Sequence, residues 1–287
     1  MSLIMLILMN VAVMASLYVA LFVLSAFFGI YIDSQSMSGL FMMAALFGFG
    51  GSFLSLFMSK WMAIRGMGVT LIEQPRDEFE HWLVRTIEKL SREADIGMPE
   101  VGIFDAPPNA FATGWDKNNA LVAVSTGLID MMSRDEIEGV LAHEISHVKN
   151  GDMVTMTLMQ GVLNTFVIFI SRILASMVAR DRDGNTNHMM YFMISMVLEM
   201  VFSLFATALL MWYSRHREYR ADEGAVDLSG AQGIYYALAK LGQVPREELA
   251  LNDDYRAFGF VGFLGSFFAS HPPIEARLSH IKEYAGA

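Results

Sequence analysis

Two histidines near the middle of the chain form the pattern His-Glu-x-x-His, at His143, Glu144 and His147. Residues four apart lie on one face of an α-helix, so both imidazoles can reach the same ion. Neutral nitrogen ligands at this spacing are typical of zinc sites. Glu144 can lie beside the attacking water without binding the metal, accept the proton of that water and pass it to a leaving amine. The pattern indicates metal-dependent hydrolysis; the alternative is a surface helix with two solvated histidines.

The surrounding sequence predicts where that helix begins and ends. Ser133 and Glu136 form the capping box Ser-x-x-Glu, and Asn150-Gly151 is typical of a helix C-terminus. The residues between them are apolar enough to bury one face of the helix, where two histidines without partners would be costly. This context favours the metal site over the solvated helix.

A third metal ligand is expected, because catalytic zinc usually has three protein ligands and one open position. A third histidine at the spacing His-x-x-Gly-x-x-His is missing, since Met153 stands where it would lie. Glu218 and Asp222 are four residues apart, so Glu218 can bind the metal while Asp222 accepts the N–H of a ligating histidine. Glu223 is a rival ligand that points about 100° away from Asp222 on the helix. The other alternative is an ordinary polar helix start with acids near its N-terminus.

The composition of the chain indicates a membrane protein. Hydrophobic residues make up 54% of the 287 residues and charged residues 17%, whereas soluble domains average about 25% charged residues. The net charge of −10 excludes a nucleic-acid-binding protein, and the absence of cysteine excludes thiolate metal sites and disulfides. Four apolar stretches are long enough to cross a bilayer, which takes about 20 residues; buried core helices are the alternative. These predicted spans lie near residues 3–32, 37–58, 153–179 and 189–213.

The residues outside the spans, 59–152 and 214–287, hold most of the charges and predict one soluble domain that a membrane hairpin interrupts. Two short runs within them, at 100–105 and 120–125, have β-like composition and indicate a small antiparallel sheet. Basic residues flank the soluble pieces more often than the opposite side, which predicts that these pieces and both termini are cytoplasmic. The predicted order is a transmembrane hairpin at 1–58, the first part of a catalytic domain at 59–152, a second hairpin at 153–213 and the second part of the catalytic domain at 214–287.

Two charged residues fall inside the predicted spans. Arg172 and Glu199 lie at similar depth on adjacent antiparallel segments. A single charge at that depth costs several kcal/mol, so a partner is expected. We predict an ion pair between them; the alternative is an arginine that extends to the membrane surface and a Glu199 that is protonated or bonded elsewhere.

The sequence resembles the bacterial HtpX proteases, membrane zinc endopeptidases that are related to the CaaX prenyl proteases. The resemblance covers nearly the whole chain, and its motifs are specific in combination. They are Phe47-Gly48-Phe49-Gly50-Gly51-Ser52, Asn109-Ala110-Phe111-Ala112-Thr113-Gly114, Ala142–His147 with Asn150-Gly151-Asp152, Ser214–Asp222 and Ser270-His271-Pro272-Pro273.

This resemblance implies a mainly α fold, with four transmembrane helices and a cytoplasmic α+β metalloprotease domain of the gluzincin type. It implies that His143, His147 and Glu218 bind one Zn²⁺ ion per subunit. Glu144 is then the general base. His271 lies in a segment that the family folds over the site, where it can donate to the oxyanion of the tetrahedral intermediate; a capping or core role is the alternative.

An edge strand that lines the cleft is expected from six residues, to which substrate adds as a further strand. They are Asn109, Ala110, Phe111, Ala112, Thr113 and Gly114. A plain connecting strand is the alternative. Arg277 follows His271 by six residues and either assists the site or is a solvated helix residue.

The resemblance also implies a function: quality control and stress response at the bacterial inner membrane, by cleavage of misfolded or damaged membrane proteins from the cytoplasmic side. The expected partners are the lipid bilayer and unfolded membrane-protein segments, and nucleic acid is not one of them. A catalytically inactive adaptor that only binds unfolded clients is the alternative, although such an adaptor needs no general base at Glu144. A metal transporter is excluded because the histidines lie outside the predicted spans.

Overall fold

A computed structural model describes residues 36–180, 186–243 and 271–286. Within these ranges the chain is mainly helical, with one small sheet. The elements are α1 (Met37–Gly66), β1 (Thr70–Leu71), α2 (Glu78–Glu93), β2 (Glu100–Phe104), β3 (Ala110–Asp116), β4 (Asn119–Ser125), α3 (Thr126–Met131), α4 (Arg134–Asn150), α5 (Asp152–Val178), α6 (His188–Ser229), α7 (Ala231–Leu241) and α8 (Ile274–Tyr284).

Three helices of the described residues are long and apolar enough to cross a membrane. They are Ser38–Gly66 in α1, Asp152–Val178 and His188–Ser229. The second, third and fourth predicted spans fall on these helices, and the first, at 3–32, lies outside the described residues. α6 continues without a break to Ser229, so the last predicted span and the segment that carries Glu218 form a single helix.

The described residues belong to two compact units. The helical unit consists of the described residues of 36–55 and Met156–Leu210, and the α+β unit consists of Leu56–Thr155 with the described residues from Met211 onward. In the helical unit, Nε of Arg172 lies 3.5 Å from Oε1 of Glu199. The predicted ion pair between the two charged residues is therefore present.

The sheet of the α+β unit has the strand order β1-β2-β4-β3. β1 pairs with β2 and β3 pairs with β4 in antiparallel fashion, but β2 and β4 are parallel. The prediction of an antiparallel sheet was therefore wrong. β3 and β4 form a hairpin around Lys117-Asn118, and this hairpin inserts β4 between β2 and β3, so that β4 runs in the same direction as β2.

One hydrophobic core holds α2, β4, α4 and α7 together. α2 has the predicted amphipathic spacing, with Leu83, Ile87 and Leu90 fully buried. α4 has both predicted ends: the Ser133–Glu136 capping box is complete, and Gly151 adopts the left-handed conformation with φ 66°. Because α4 begins and ends as its sequence predicts and is buried along one face, its histidines are held in a fixed place.

Candidate active site and metal centre

α4 presents His143 and His147 on the same face, one turn apart, in the α+β unit. Their Nε2 atoms lie 3.1 Å from each other. The side chain of His143 is 8% exposed and that of His147 is 12% exposed. The predicted convergence of the two imidazoles is present, and the alternative of two solvated histidines does not describe this helix.

Glu218 of α6 completes the group. Its Oε2 lies 3.5 Å from Nε2 of His143, and its Oε1 lies 3.4 Å from Nε2 of His147. The close approach of the two helices depends on Gly224, where a Cβ atom would lie 2.4 Å from Oγ of Ser146. The resemblance implied these three residues as ligands. The structure brings one ligand atom of each to within 4.8 Å of the others.

The three side chains fit a metal ion. The carboxylate of Glu218 is fully buried, and its Oε1 has no hydrogen-bond partner among the described residues. A buried carboxylate oxygen without a donor is costly unless a cation binds it. Two imidazole nitrogens and one carboxylate oxygen form the donor set of many catalytic zinc sites.

Two carboxylates orient the histidines from behind. Nδ1 of His143 lies 3.0 Å from Oδ1 of Asp222, and Nδ1 of His147 lies 2.6 Å from Oδ2 of Asp152. When each Nδ1–H donates to its carboxylate, the lone pair of each Nε2 faces the shared space in front of Glu218. Asp222 stands where the sequence placed it. The role of Asp152 was not predicted, because the residue entered only as part of a motif. An acidic residue directly after the helix-ending Gly151 was the feature of the sequence that could have indicated it.

The electrostatics of the pocket favour positive charge. Burial by itself lowers the pKa of His147, but its hydrogen bond to the Asp152 carboxylate and the negative charge of the nearby Glu218 carboxylate raise that pKa to about 9. A proton or a metal ion on the imidazole is therefore stabilised at the atoms where a metal would bind.

Arg277 of α8 is buried behind Asp222 rather than solvated. Its Nε donates to Oδ2 of Asp222 at 2.8 Å, its Nη2 donates to Oδ1, and its Nη1 lies 3.7 Å from Oε2 of Glu218. Sequence reasoning left this residue undecided because its acidic partner is 55 positions away in the chain. Arg277 fixes the carboxylate that in turn holds His143.

His271 lies at the entrance to the same pocket. Its Nδ1 is 2.7 Å from Oε2 of Glu218, while its side chain is 61% exposed. This exposure is inconsistent with a core position. The rival ligand Glu223 instead binds His280, with Oε1 2.9 Å from Nε2, and does not join the group.

Glu144 connects the metal group to the sheet. Its Oε2 accepts a hydrogen bond of 2.9 Å from the backbone N–H of Ala112 in β3. β3 is an edge strand, so the backbone N–H and C=O groups of every second residue point away from β4. Asn109 binds Ser125 through its backbone and so joins the start of the segment to β4. The segment 109–114 therefore lies beside the metal group, and the pairing of substrate with it stays a prediction.

The family follows from a comparison of the sequence with protein-family models. The model described as Peptidase family M48 matches residues 78–285, which contain every residue of the site. The chain belongs to peptidase family M48. The His-Glu-x-x-His helix and Glu218, which together could hold a metal ion, lie within the region that matches this family of metalloproteases.

Named relatives are similar over most of their length. The protein named "Protease HtpX" of Tolumonas auensis is 51% identical over 283 residues, which cover 96% of each chain. "Protease HtpX" of Histophilus somni is 53% identical over 255 residues, or 88% of each chain. The crystal structure of Ste24p from S. mikatae has the same fold, with a TM-score of 0.61 at 20% identity over 93% of this chain and 67% of that one.

These similarities and the candidate spans make this M48 protein a multi-pass membrane metalloprotease. The predicted enzyme class is confirmed, and none of the comparisons supports the inactive adaptor. The resemblance to the HtpX proteases is confirmed as well.

Proposed function

We propose that this M48 protease is a zinc endopeptidase that cleaves unfolded or damaged segments of membrane proteins at the cytoplasmic face of the bacterial inner membrane. The observation that carries the proposal is the buried convergence of His143, His147 and Glu218, with Glu144 held next to them by an edge strand. The printed name of the relatives, "Protease HtpX", supports proteolysis.

Zinc is the metal that this donor set favours, since it commonly binds two histidines and one carboxylate in catalytic sites. His143, His147 and Glu218 would hold one ion per subunit. A bound zinc ion supplies a Lewis acid that polarises the scissile carbonyl.

We assign the other catalytic roles to the side chains around the metal group. Oε2 of Glu144 is engaged by Ala112, so we assign Oε1 to take the proton of the attacking water and later to deliver it to the leaving amine. His271 is exposed beside Glu218 and is placed to donate to the developing oxyanion. Arg277 and Asp222 keep His143 in one orientation throughout.

The edge strand β3 explains how such a protease accepts many unfolded sequences. A substrate strand that pairs with β3 is bound through main-chain groups, which every sequence offers. The backbone N–H and C=O groups of Ala110 and Gly114 point away from β4 and are open for this pairing. The N–H of Ala112 points the same way but already donates to Glu144. We therefore assign substrate pairing to the positions on either side of Ala112.

The membrane arrangement remains part of the proposal. We propose transmembrane hairpins at 1–58 and 153–213, with the catalytic parts 59–152 and 214–287 on the cytoplasmic side. Since the chain has no cysteine, a single introduced one is the only thiol. Cysteine at Asn187 should react with an impermeant thiol reagent in intact cells, and cysteine at Glu283 should react only after lysis. The reverse pattern would overturn the orientation.

The catalytic proposal is tested with purified protein in detergent. The metal-free protein should regain cleavage of an unfolded membrane protein when one equivalent of Zn²⁺ is added. Glu144→Gln should bind the same amount of zinc and lose at least about 100-fold in kcat, because an amide cannot accept the proton. The matched control Glu138→Gln, on the same helix but paired with Lys89 and away from the metal group, should cleave normally. Normal turnover by Glu144→Gln, or client binding without cleavage by the wild type, would contradict the proposal.

A further inference from the structure

An exposed aromatic cluster joins the sheet to the end of a candidate span. Phe57 and Trp61 lie one turn apart on α1, with 58% and 52% of their surface exposed. The ring of Trp115 in β3, itself 43% exposed, lies 5.8 Å from that of Phe57. We call these three residues the aromatic cluster. Trp115 belongs to none of the candidate spans in the described residues, yet it packs against a residue that does.

Charged neighbours show at which level of α1 this contact occurs. Lys60 is the first basic residue of the chain. Its Nζ lies 2.8 Å from Oε1 of Glu100 at the start of β2, and it donates to Oδ1 of Asn119 at the start of β4 at 2.9 Å. This end of the sheet is therefore attached to α1 where the uncharged part of the helix ends. One turn further along α1, Arg65 lies over the ring of Trp61 at 5.8 Å.

Exposed tryptophans beside basic residues at the end of an apolar helix are typical of the region of lipid headgroups. Adjacent large aromatic side chains that are half exposed are typical of surfaces that contact a membrane or another protein. Because α1 is a candidate membrane span and carries two of the three aromatic rings, lipid is the partner that this position favours.

We propose that the aromatic cluster lies in the headgroup region of the bilayer and holds the β3–β4 hairpin at the membrane surface. Ala112 is three residues from Trp115, or about 10 Å along the strand. β3 then leads from the bilayer surface to Glu144. Given the strand pairing of the proposed function, the enzyme takes segments that have just left the membrane, and it cleaves them within a few residues of the bilayer.

A labelling experiment tests the membrane contact without catalysis. Trp115→Cys carries an environment-sensitive fluorophore in vesicles of phosphatidylcholine and phosphatidylglycerol, with or without bromine atoms on the acyl chains near the headgroup. The matched control is Tyr236→Cys on α7, since Tyr236 is 51% exposed and lies outside the cluster. We expect brominated lipid to quench the probe at position 115 and to leave the probe at position 236 unquenched. Equal quenching, no quenching, or a blue shift that grows only with protein density, as a second copy would produce, overturns the proposal.

A cleavage experiment tests the consequence for substrates. One unfolded sequence is offered in two forms, attached directly to a transmembrane helix and free in solution. Trp115→Ala should lose about tenfold in kcat/KM on the anchored form, in keeping with the loss of one aromatic ring from the lipid interface, and nothing on the free form. Trp115→Phe should restore the anchored reaction. Equal loss on both forms overturns the proposal. Failure of the wild type on both forms contradicts the proposed protease itself, which the labelling result does not depend on.

Discussion

The backbone N–H of Ala112 donates a hydrogen bond of 2.9 Å to Oε2 of Glu144. An edge strand thereby fixes the side chain that we assign as general base, and the same strand offers its neighbouring backbone groups to substrate. Positioning of the base and binding of the substrate are therefore linked through one strand.

Replacement of Ala112 by proline removes this donor. Proline is tolerated on an edge strand where the N–H faces away from the sheet, so the fold should survive. We expect kcat to fall about 100-fold, as misplaced catalytic groups commonly cost, while bound metal stays at the wild-type level. Steady-state kinetics and metal analysis of the purified variant check this. Ala112→Gly keeps the N–H and should stay active. Parallel loss of metal and activity in Ala112→Pro would point to misfolding.

Asp152→Ala should weaken metal binding by about 10- to 100-fold, because His147 loses the acceptor that orients its ring. Competition with a zinc chelator measures the dissociation constant. Asp152→Asn retains an acceptor oxygen and should lose less. An unchanged dissociation constant in Asp152→Ala would remove Asp152 from the metal site.

Arg277→Met should destabilise the protein by about 3–5 kcal/mol, because the buried carboxylate of Asp222 is left without its charged partner. The free energy of unfolding in detergent is the quantity to measure. The double variant Arg277→Met with Asp222→Asn should lose less than the sum of the two single variants. Additive losses would show that the two residues do not interact.

The start of α4 makes the stability dependent on pH. Burial alone raises the pKa of Glu136, but hydrogen bonds from Lys240 and from Ser133 outweigh it and lower the pKa below its ordinary value of 4.5. The charged carboxylate therefore stabilises the folded state fully above the unfolded-state pKa, and this contribution is lost as the pH falls through the folded-state pKa.

Glu136→Gln should accordingly lower the thermal midpoint near pH 7 and show a shrinking difference from the wild type below about pH 4.5. Thermal unfolding of both proteins in detergent from pH 7 to pH 3 measures this difference in thermal midpoint. Glu138→Gln, whose exposed pair with Lys89 contributes little, is the control. A difference that does not change with pH would exclude the ionisation of Glu136 as its cause.

Arg172→Ala and Glu199→Ala should each lower the thermal midpoint in detergent or bicelles, since the remaining charge of the helical unit loses its partner. Exchange of the two residues should restore most of the loss. If both single variants lower the thermal midpoint only slightly, and the exchanged variant lowers it by as much as they do, the pair contributes nothing to stability.

The sequence by itself determined the local features of the site. The capping box at Ser133, the left-handed Gly151 and the four-residue spacing of His143 and His147 depend on neighbours within one helix, so their geometry follows from the periodicity of the helix. The three apolar spans that fall on described residues could likewise be predicted, because a candidate span is recognised by its length and hydrophobicity alone.

Tertiary structure decided everything that depends on distant partners. Whether Glu218 or Glu223 joins the histidines is set by the approach of α6 to α4 at Gly224, and whether Arg277 is solvated is set by its packing against Asp222. The parallel pairing of β2 with β4 was also missed, because strand composition reports burial but not the neighbour or its direction. Such contacts join residues many positions apart, and their energies appear only when the whole chain has packed.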